Sequence, residues 1–189
     1  LDPSAFSIAE ARAALPAPFR TVAEHETTLQ DFAPPAAGYD VVWAIHALYA
    51  VPQGELGEAI ARFRAAIAPG GLGIIAHSAE AGHYIAFHRH YLAAFGPPHA
   101  APYVAAETIT RTLREAGAEV AVQEVVYDSA AAPDATAAVE GYLQRCVFDD
   151  RVGLKEMTAS EPLAGYLAGS RHAEGWRFAQ RVWLMTVAG

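Results

Sequence analysis

The side chains with chemistry to offer fall into two groups. His46 and Tyr49 stand just after an apolar run, Tyr39–Ile45, with Leu48 between them. An imidazole titrates near neutrality, so His46 suits orienting a substrate or accepting its proton. A loop histidine bonded to backbone is an equally good account of it, and Tyr49 could simply pack. The second group, His83, Tyr84, His88, His90 and Tyr91, lies in residues 82–95. This stretch reads as a helix with Tyr84, Phe87, His88, Tyr91 and Phe95 on or near one face. A metal pair on a helix needs i,i+3 or i,i+4 spacing. No pair among His83, His88 and His90 has it, so no helical zinc site is expected. An aromatic stripe is more often core than pocket, by roughly two to one given the area such rings bury.

The elements that position these groups lie in residues 39–78, which read as strand, loop, helix, turn and strand. Tyr39–Ile45 has the pattern of a strand buried on both faces. Residues 55–67 place Leu56, Ile60, Phe63 and Ile67 on one helix face. Pro69, Gly70 and Gly71 are expected to stop that helix. Leu72 to Ala76 is a second apolar run, ended by His77 and Ser78. Such a βαβ unit implies parallel strands and a right-handed crossover. Open parallel sheets bind ligands outside the carboxyl ends of their strands, which makes Ile45, His46, Leu48 and Tyr49 ligand-facing.

The order of this block carries a resemblance. An aromatic-Asp-Val-Val strand is followed by His46, Ala47, Leu48, Tyr49, Ala50 and Val51. A helix ending in Ala68-Pro69-Gly70-Gly71 and a further strand come next. The block resembles the fourth strand, helix and fifth strand of class I S-adenosylmethionine-dependent methyltransferases. The nearest flavour is the small-molecule type, histamine-methylating enzymes among them. The resemblance runs with falling clarity from Leu1 to about Val126. It implies S-adenosylmethionine as cofactor and a small-molecule methyl acceptor. It also implies cofactor contacts at Asp2 (ribose hydroxyls), Asp31 and Phe32 (adenine), and Ile45, His46 and Tyr49. Acceptor contacts are implied at His46, Tyr49, Tyr84, His88 and Tyr91. Set apart from the resemblance, Asp2 before Pro3 reads as a turn or capping aspartate. Asp31 and Phe32 then read as a solvated loop with one ring tucked into the core.

Around this block, the resemblance makes residues 1–4 the end of the family's second strand; a helix follows with a capping box at Ser7 to Glu10, Ser4 being an alternative cap. Ile8, Ala11 and Leu15 make its apolar stripe. Residues 19–25 read as a strand and 33–38 as a proline-rich linker. Residues 96–102 read as a turn, 105–116 as a helix with Gly117 behind it, and residues from 120 as an alternating strand. Residues 134–148 read as a helix with Cys146 on its apolar face, a small core residue. Residues 178–188 read as the terminal strand, which the resemblance makes antiparallel. The expectation is a single α/β domain over 1–189: Rossmann-like, doubly wound, mainly parallel, with an antiparallel last strand.

Composition narrows the function classes. The net charge is -8 with a single lysine, Lys155, so no basic surface for nucleic acid is expected. One cysteine cannot form an internal disulfide, which fits a reducing cytoplasm. No apolar run has the roughly 20 residues of a membrane helix. No G-x-G-x-G occurs. The chain therefore reads as a methyltransferase domain without its first βα unit, expected alone to be loose, inactive and unable to bind S-adenosylmethionine. Methyl transfer mainly requires positioning, which suits a chain with no catalytic triad in view. A nicotinamide-dependent oxidoreductase and a non-catalytic binding module with the same fold are the alternatives; fold alone would not choose between them.

Overall fold

Alternating apolar runs and helical stripes fold into one mixed sheet with helices packed on it. The computed structural model describes residues 1–49, 51–97 and 99–189. Ala50 and Pro98 lie outside the described residues. The elements in order are α1 (Ala5–Ala14), β1 (Tyr39–Ile45), α2 (Leu56–Ala65) and β2 (Ile67–Ser78), then α3 (His83–Phe95) and α4 (Ala106–Glu115). β3 (Val120–Ala131), α5 (Thr136–Val147), α6 (Leu154–Met157), α7 (Leu163–Gly169), β4 (Arg171–His172) and β5 (Gly175–Ala188) complete them.

The sheet order is β1-β2-β5-β3, with β4 paired to β5. β1 and β2 pair in parallel, with Val41 beside Leu72 and Ile45 beside Ala76. β5 runs antiparallel to both β2 and β3. β1, β2 and β3 therefore share one direction, and the last strand slots between β2 and β3 against them. This is the α/β arrangement expected, antiparallel terminal strand included.

Helices α2 and α4 cover one face of the sheet. Leu56, Ile60 and Phe63 of α2, with Ile109 and Leu113 of α4, pack on Ala44, Ile75, Met185 and Val187. A second core lies at the start of β5, where Trp176 and Phe178 meet Phe87, Leu143, Cys146, Met157, Leu163 and Leu167. α3, α5, α6 and α7 build that core; α6, α7 and β4 gave no signal strong enough to be read beforehand. Among the described residues no helix is long and apolar enough to cross a membrane.

Four local expectations are corrected. β1 is not buried on both faces: only Ala44 is buried, while Trp43 is 74% exposed. Val42 and Ala44 meet the helix layer, whereas Val41, Trp43 and Ile45 point to the open face, and among the described residues β2 is the one strand paired with β1. Residues 19–25 form no strand; a single parallel bridge, Asp2 to Glu26, is all that pairs there. α1 is capped by Ser4, whose hydroxyl accepts from the Ser7 N–H, but it buries no residue, so its apolar stripe is unpacked. Pro69, Gly70 and Gly71 do not end α2, which stops at Ala65. They form a bulge inside β2, between the pairs Tyr39–Ile67 and Val41–Leu72. The bulge takes up extra residues while keeping the ladder on either side.

Glycine is required where this bulge meets the entry to β1. Gly38 has φ +67, and a Cβ there would lie 2.6 Å from the Ala68 nitrogen. Gly70 has φ +78 but faces open space. A side chain at Gly70 thus meets only the left-handed penalty, about 1–2 kcal/mol, whereas one at Gly38 also collides with backbone. Gly38→Ala is expected to destabilise by about 3 kcal/mol or more, and Gly70→Ala by clearly less. Urea melts of the two variants check the ranking; equal losses would remove the steric account of Gly38.

Candidate functional site

Because β1 and β2 run in parallel, their carboxyl ends reach the same edge of the sheet. The His46 N–H donates to the Ala76 carbonyl at 2.9 Å, extending the ladder one residue past β1. The backbone then turns through φ 52 at His46. A non-glycine residue in this region costs about 1–2 kcal/mol and, where it persists, often marks a functional position. The turn brings the chain back so that Tyr49 stacks near His46, ring centroids 5.9 Å apart and 14° from parallel. His46 Nδ1 and the Tyr49 hydroxyl are 2.6 Å apart. The backbone N–H of Ser78, at the end of β2, donates to the same hydroxyl at 3.2 Å.

Tyr49 is buried and forms the centre of an aromatic cluster. Its ring lies 3.9 Å from His77, 4.5 Å from Tyr84 and 5.4 Å from Tyr103. His88 lies flat on Tyr103 at 3.4 Å between centroids. The tautomers follow from the partners. His77 donates Nε2–H to the Val104 carbonyl at 2.8 Å, leaving Nδ1 buried without a partner among the described residues. His88 accepts from the Tyr103 N–H through Nδ1, so its proton sits on Nε2.

Burial governs the charges here. It pulls the His46 pKa below its ordinary value. It lowers His77 to about 4, against an opposing effect from the Val104 hydrogen bond. His88 falls to about 4 for the same reason. Burial raises the Tyr49 pKa and pushes Tyr84 up to about 12. At neutral pH the cluster is uncharged, and its hydroxyls act as hydrogen-bond donors and acceptors.

The structure brings His46, Tyr49, Tyr84 and His88 into this one cluster. Tyr91 is elsewhere: it packs in the second core, and its hydroxyl donates to Asp149 at 2.9 Å. Ile45 is half exposed on the open face of β1. Asp2 accepts from the Ser4 N–H at 2.8 Å, the turn role its place before Pro3 suggested. Asp31 is exposed and accepts from the Thr28 hydroxyl at 2.7 Å. Phe32 is buried, tilted against His25 at 5.0 Å between centroids. The Gln30 side chain donates to Glu55 at 2.7 Å and Arg62 donates to the Gln30 carbonyl at 3.3 Å, which ties this loop to the N-cap and to the last turn of α2.

Three participants were not singled out from the sequence: His77, Ser78 and Tyr103. His77 and Ser78 end a strand at the ligand edge, and that position was the signal available. Tyr103 precedes α4 in irregular chain and had none. A groove of about 210 Å³ adjoins the cluster, lined by Ile85, Tyr103, Val104 and Ala105 with Glu80 and Arg89 at its polar side.

No family model matches the chain, and no curated protein matches it. Solved structures do. The chain is similar to a candidate methyltransferase from Bacillus halodurans C-125, with TM-score 0.55 and 12% identity over 86% of this chain and 69% of that one. It is also similar to the YcgJ protein of Bacillus subtilis, with TM-score 0.55 and 11% identity over 86% of this chain and 68% of that one. An S-adenosylmethionine-dependent methyltransferase from Methanosarcina mazei matches with TM-score 0.50 and 10% identity, over 99% of this chain and 79% of that one. The fold is the class I S-adenosylmethionine-dependent methyltransferase fold. In this methyltransferase fold the His46–Tyr49 loop occupies the carboxyl edge of two parallel strands, where open α/β sheets bind their ligands.

The buried imidazoles make stability depend on pH. Unfolded, each takes up a proton near pH 6.5. Folded, His77 and His88 do so only at about 4, and His83, whose Nδ1 meets the Tyr166 hydroxyl at 2.8 Å, at about 3. Below pH 6.5 the unfolded chain therefore binds more protons than the folded one, and stability falls as pH drops from about 7 toward 4. Denaturant melts at stepped pH are expected to show this fall, and His83→Gln, which keeps a partner for Tyr166, to flatten it. A profile unchanged between pH 7 and 5 would contradict the buried neutral histidines.

Proposed function

We propose that this chain belongs to an enzyme that transfers a methyl group from S-adenosylmethionine to a small molecule. The observation that carries the reading is the carboxyl edge of β1 and β2 in a methyltransferase fold. There His46 is held at positive φ against a buried Tyr49. When bound, the cofactor would supply an electrophilic methyl group on a sulfonium centre.

The donor set partly fits that cofactor. Ribose hydroxyls and the adenine amine are donors, and Asp2 and Asp31 are acceptor-only carboxylates when ionised. Asp31 is exposed, and Asp2 has one carboxylate oxygen in its turn with Ser4. Phe32 turns its ring inward, so it would support the adenine loop more than face the base. Ile45, His46 and Tyr49 would flank the methyl group. His46, Tyr84 and His88, with the groove beside Tyr103, would orient the acceptor. What these residues contribute is position and exclusion of water, which in-line transfer needs most. A cytoplasmic setting belongs to the same proposal and is supported by the single, buried Cys146.

The reading of residues 1–189 as a domain without its first βα unit is likewise a proposal. It is supported by the outer edge of β1 and by the apolar open face carrying Val41, Trp43 and Ile45. Unpaired strand edges and bare apolar faces favour further strands or helices. A longer chain that supplies them is expected to bind S-adenosylhomocysteine and melt at higher temperature, and the 189-residue chain to bind weakly or not at all.

Calorimetric titration with S-adenosylhomocysteine tests the cofactor. In the full-length protein, Asp2→Ala is expected to weaken binding by about 1–3 kcal/mol, the scale of hydrogen bonds to a charged group. Equal affinities would reject the ribose assignment. Absence of binding in the full-length protein would favour a non-catalytic module with the same fold.

A further inference from the structure

We propose that His46 presents an N–H donor to the site, not a free lone pair, and that Tyr49 and the Ser78 N–H fix it in that tautomer. The proposal rests on the methyl-transfer reading for its consequence, though not for its geometry. A phenol carries one proton and two lone pairs. The Ser78 backbone N–H can only donate, so at 3.2 Å it occupies one lone pair of the Tyr49 oxygen. The partner left for the Tyr49 O–H among the described residues is His46 Nδ1, at 2.6 Å. Tyr49 is 3% exposed, so water is not a ready alternative for that proton.

The opposite arrangement fails on counting. If Nδ1 held the proton, it would donate to the Tyr49 oxygen together with Ser78. The O–H would then be left without an acceptor among the described residues, in a buried cluster of His77, Tyr84 and Tyr103 rings. Buried donors without acceptors are strongly disfavoured. So Nδ1 accepts, Nε2 carries the hydrogen, and Nε2 is the nitrogen left for a ligand. The strained backbone at His46 sets this up, because it is the φ 52 turn that stacks the imidazole near Tyr49.

The consequence concerns the acceptor. His46 does not take its proton; it donates to it. That selects a molecule with a carbonyl, carboxylate or other hydrogen-bond acceptor near the atom that is methylated. Tyr49 is then a positioning residue that acts through His46.

Nitrogen-15 spectra of histidine-labelled full-length protein, without ligand, test this. The His46 signals are assigned by their loss in His46→Asn, a residue that tolerates positive φ. The wild type is expected to show Nδ1 unprotonated and Nε2 protonated at neutral pH. Tyr49→Phe is expected to convert His46 to a mixture of tautomers. A protonated Nδ1 in the wild type overturns the proposal whether or not the variant folds, as does a folded Tyr49→Phe protein with an unchanged His46 spectrum. Because the spectrum is read without cofactor, failure of S-adenosylhomocysteine binding bears on the enzyme reading and not on this assignment.

Discussion

The parallel pairing of β1 with β2 is the constraint on which the rest depends. Parallel neighbours need a crossover, and α2 supplies it while filling the covered face of the sheet with Leu56, Ile60 and Phe63. The same pairing brings the end of β1 and the end of β2 to one edge. His46 and Ser78 are far apart in the chain, yet Tyr49 meets both through a single hydroxyl. An antiparallel pair would put those two ends on opposite sides of the sheet, and the cluster could not form.

Around that edge the protein trades local comfort for placement. His46 sits in a backbone region that suits glycine. His77 has a ring nitrogen in the interior without a partner among the described residues, and so does His83 in the second core. Core packing elsewhere is conventional: aliphatic side chains of α2 and α4 on one face, and aromatic and aliphatic side chains of α3, α5 and α7 around Trp176 and Phe178. Departures from local preference near the ligand edge of a sheet are where functional constraint is expected to act. The open face of β1 departs in another way, since Val41 and Trp43 are apolar and bare. Apolar residues on an uncovered sheet face signal surface that other chain is built to meet.

The sequence by itself determined the βαβ unit, the helices over α3, α4 and α5, the last strand and the core place of Cys146. It could do so because each rests on short-range periodicity or on turn residues, which a linear pattern records. It also marked His46, Tyr49, Tyr84 and His88, because strand ends and helix faces are local features. Tertiary structure alone decided that Tyr84 reaches the Tyr49 ring while Tyr91, on the same helix, turns its hydroxyl to Asp149. It decided too that Tyr103 joins the site from another loop. Whether the run Tyr39–Ile45 is covered on one face or two depends on which elements dock beside it, and apolar composition is the same in either case. The Pro69-Gly70-Gly71 bulge was misread for a similar reason: glycine and proline mark a break in regular backbone, but pairing with β1 decides whether that break ends a helix or bends a strand. The proton on His46 is the furthest from the sequence, since it follows from three groups that meet only when two parallel strands end side by side.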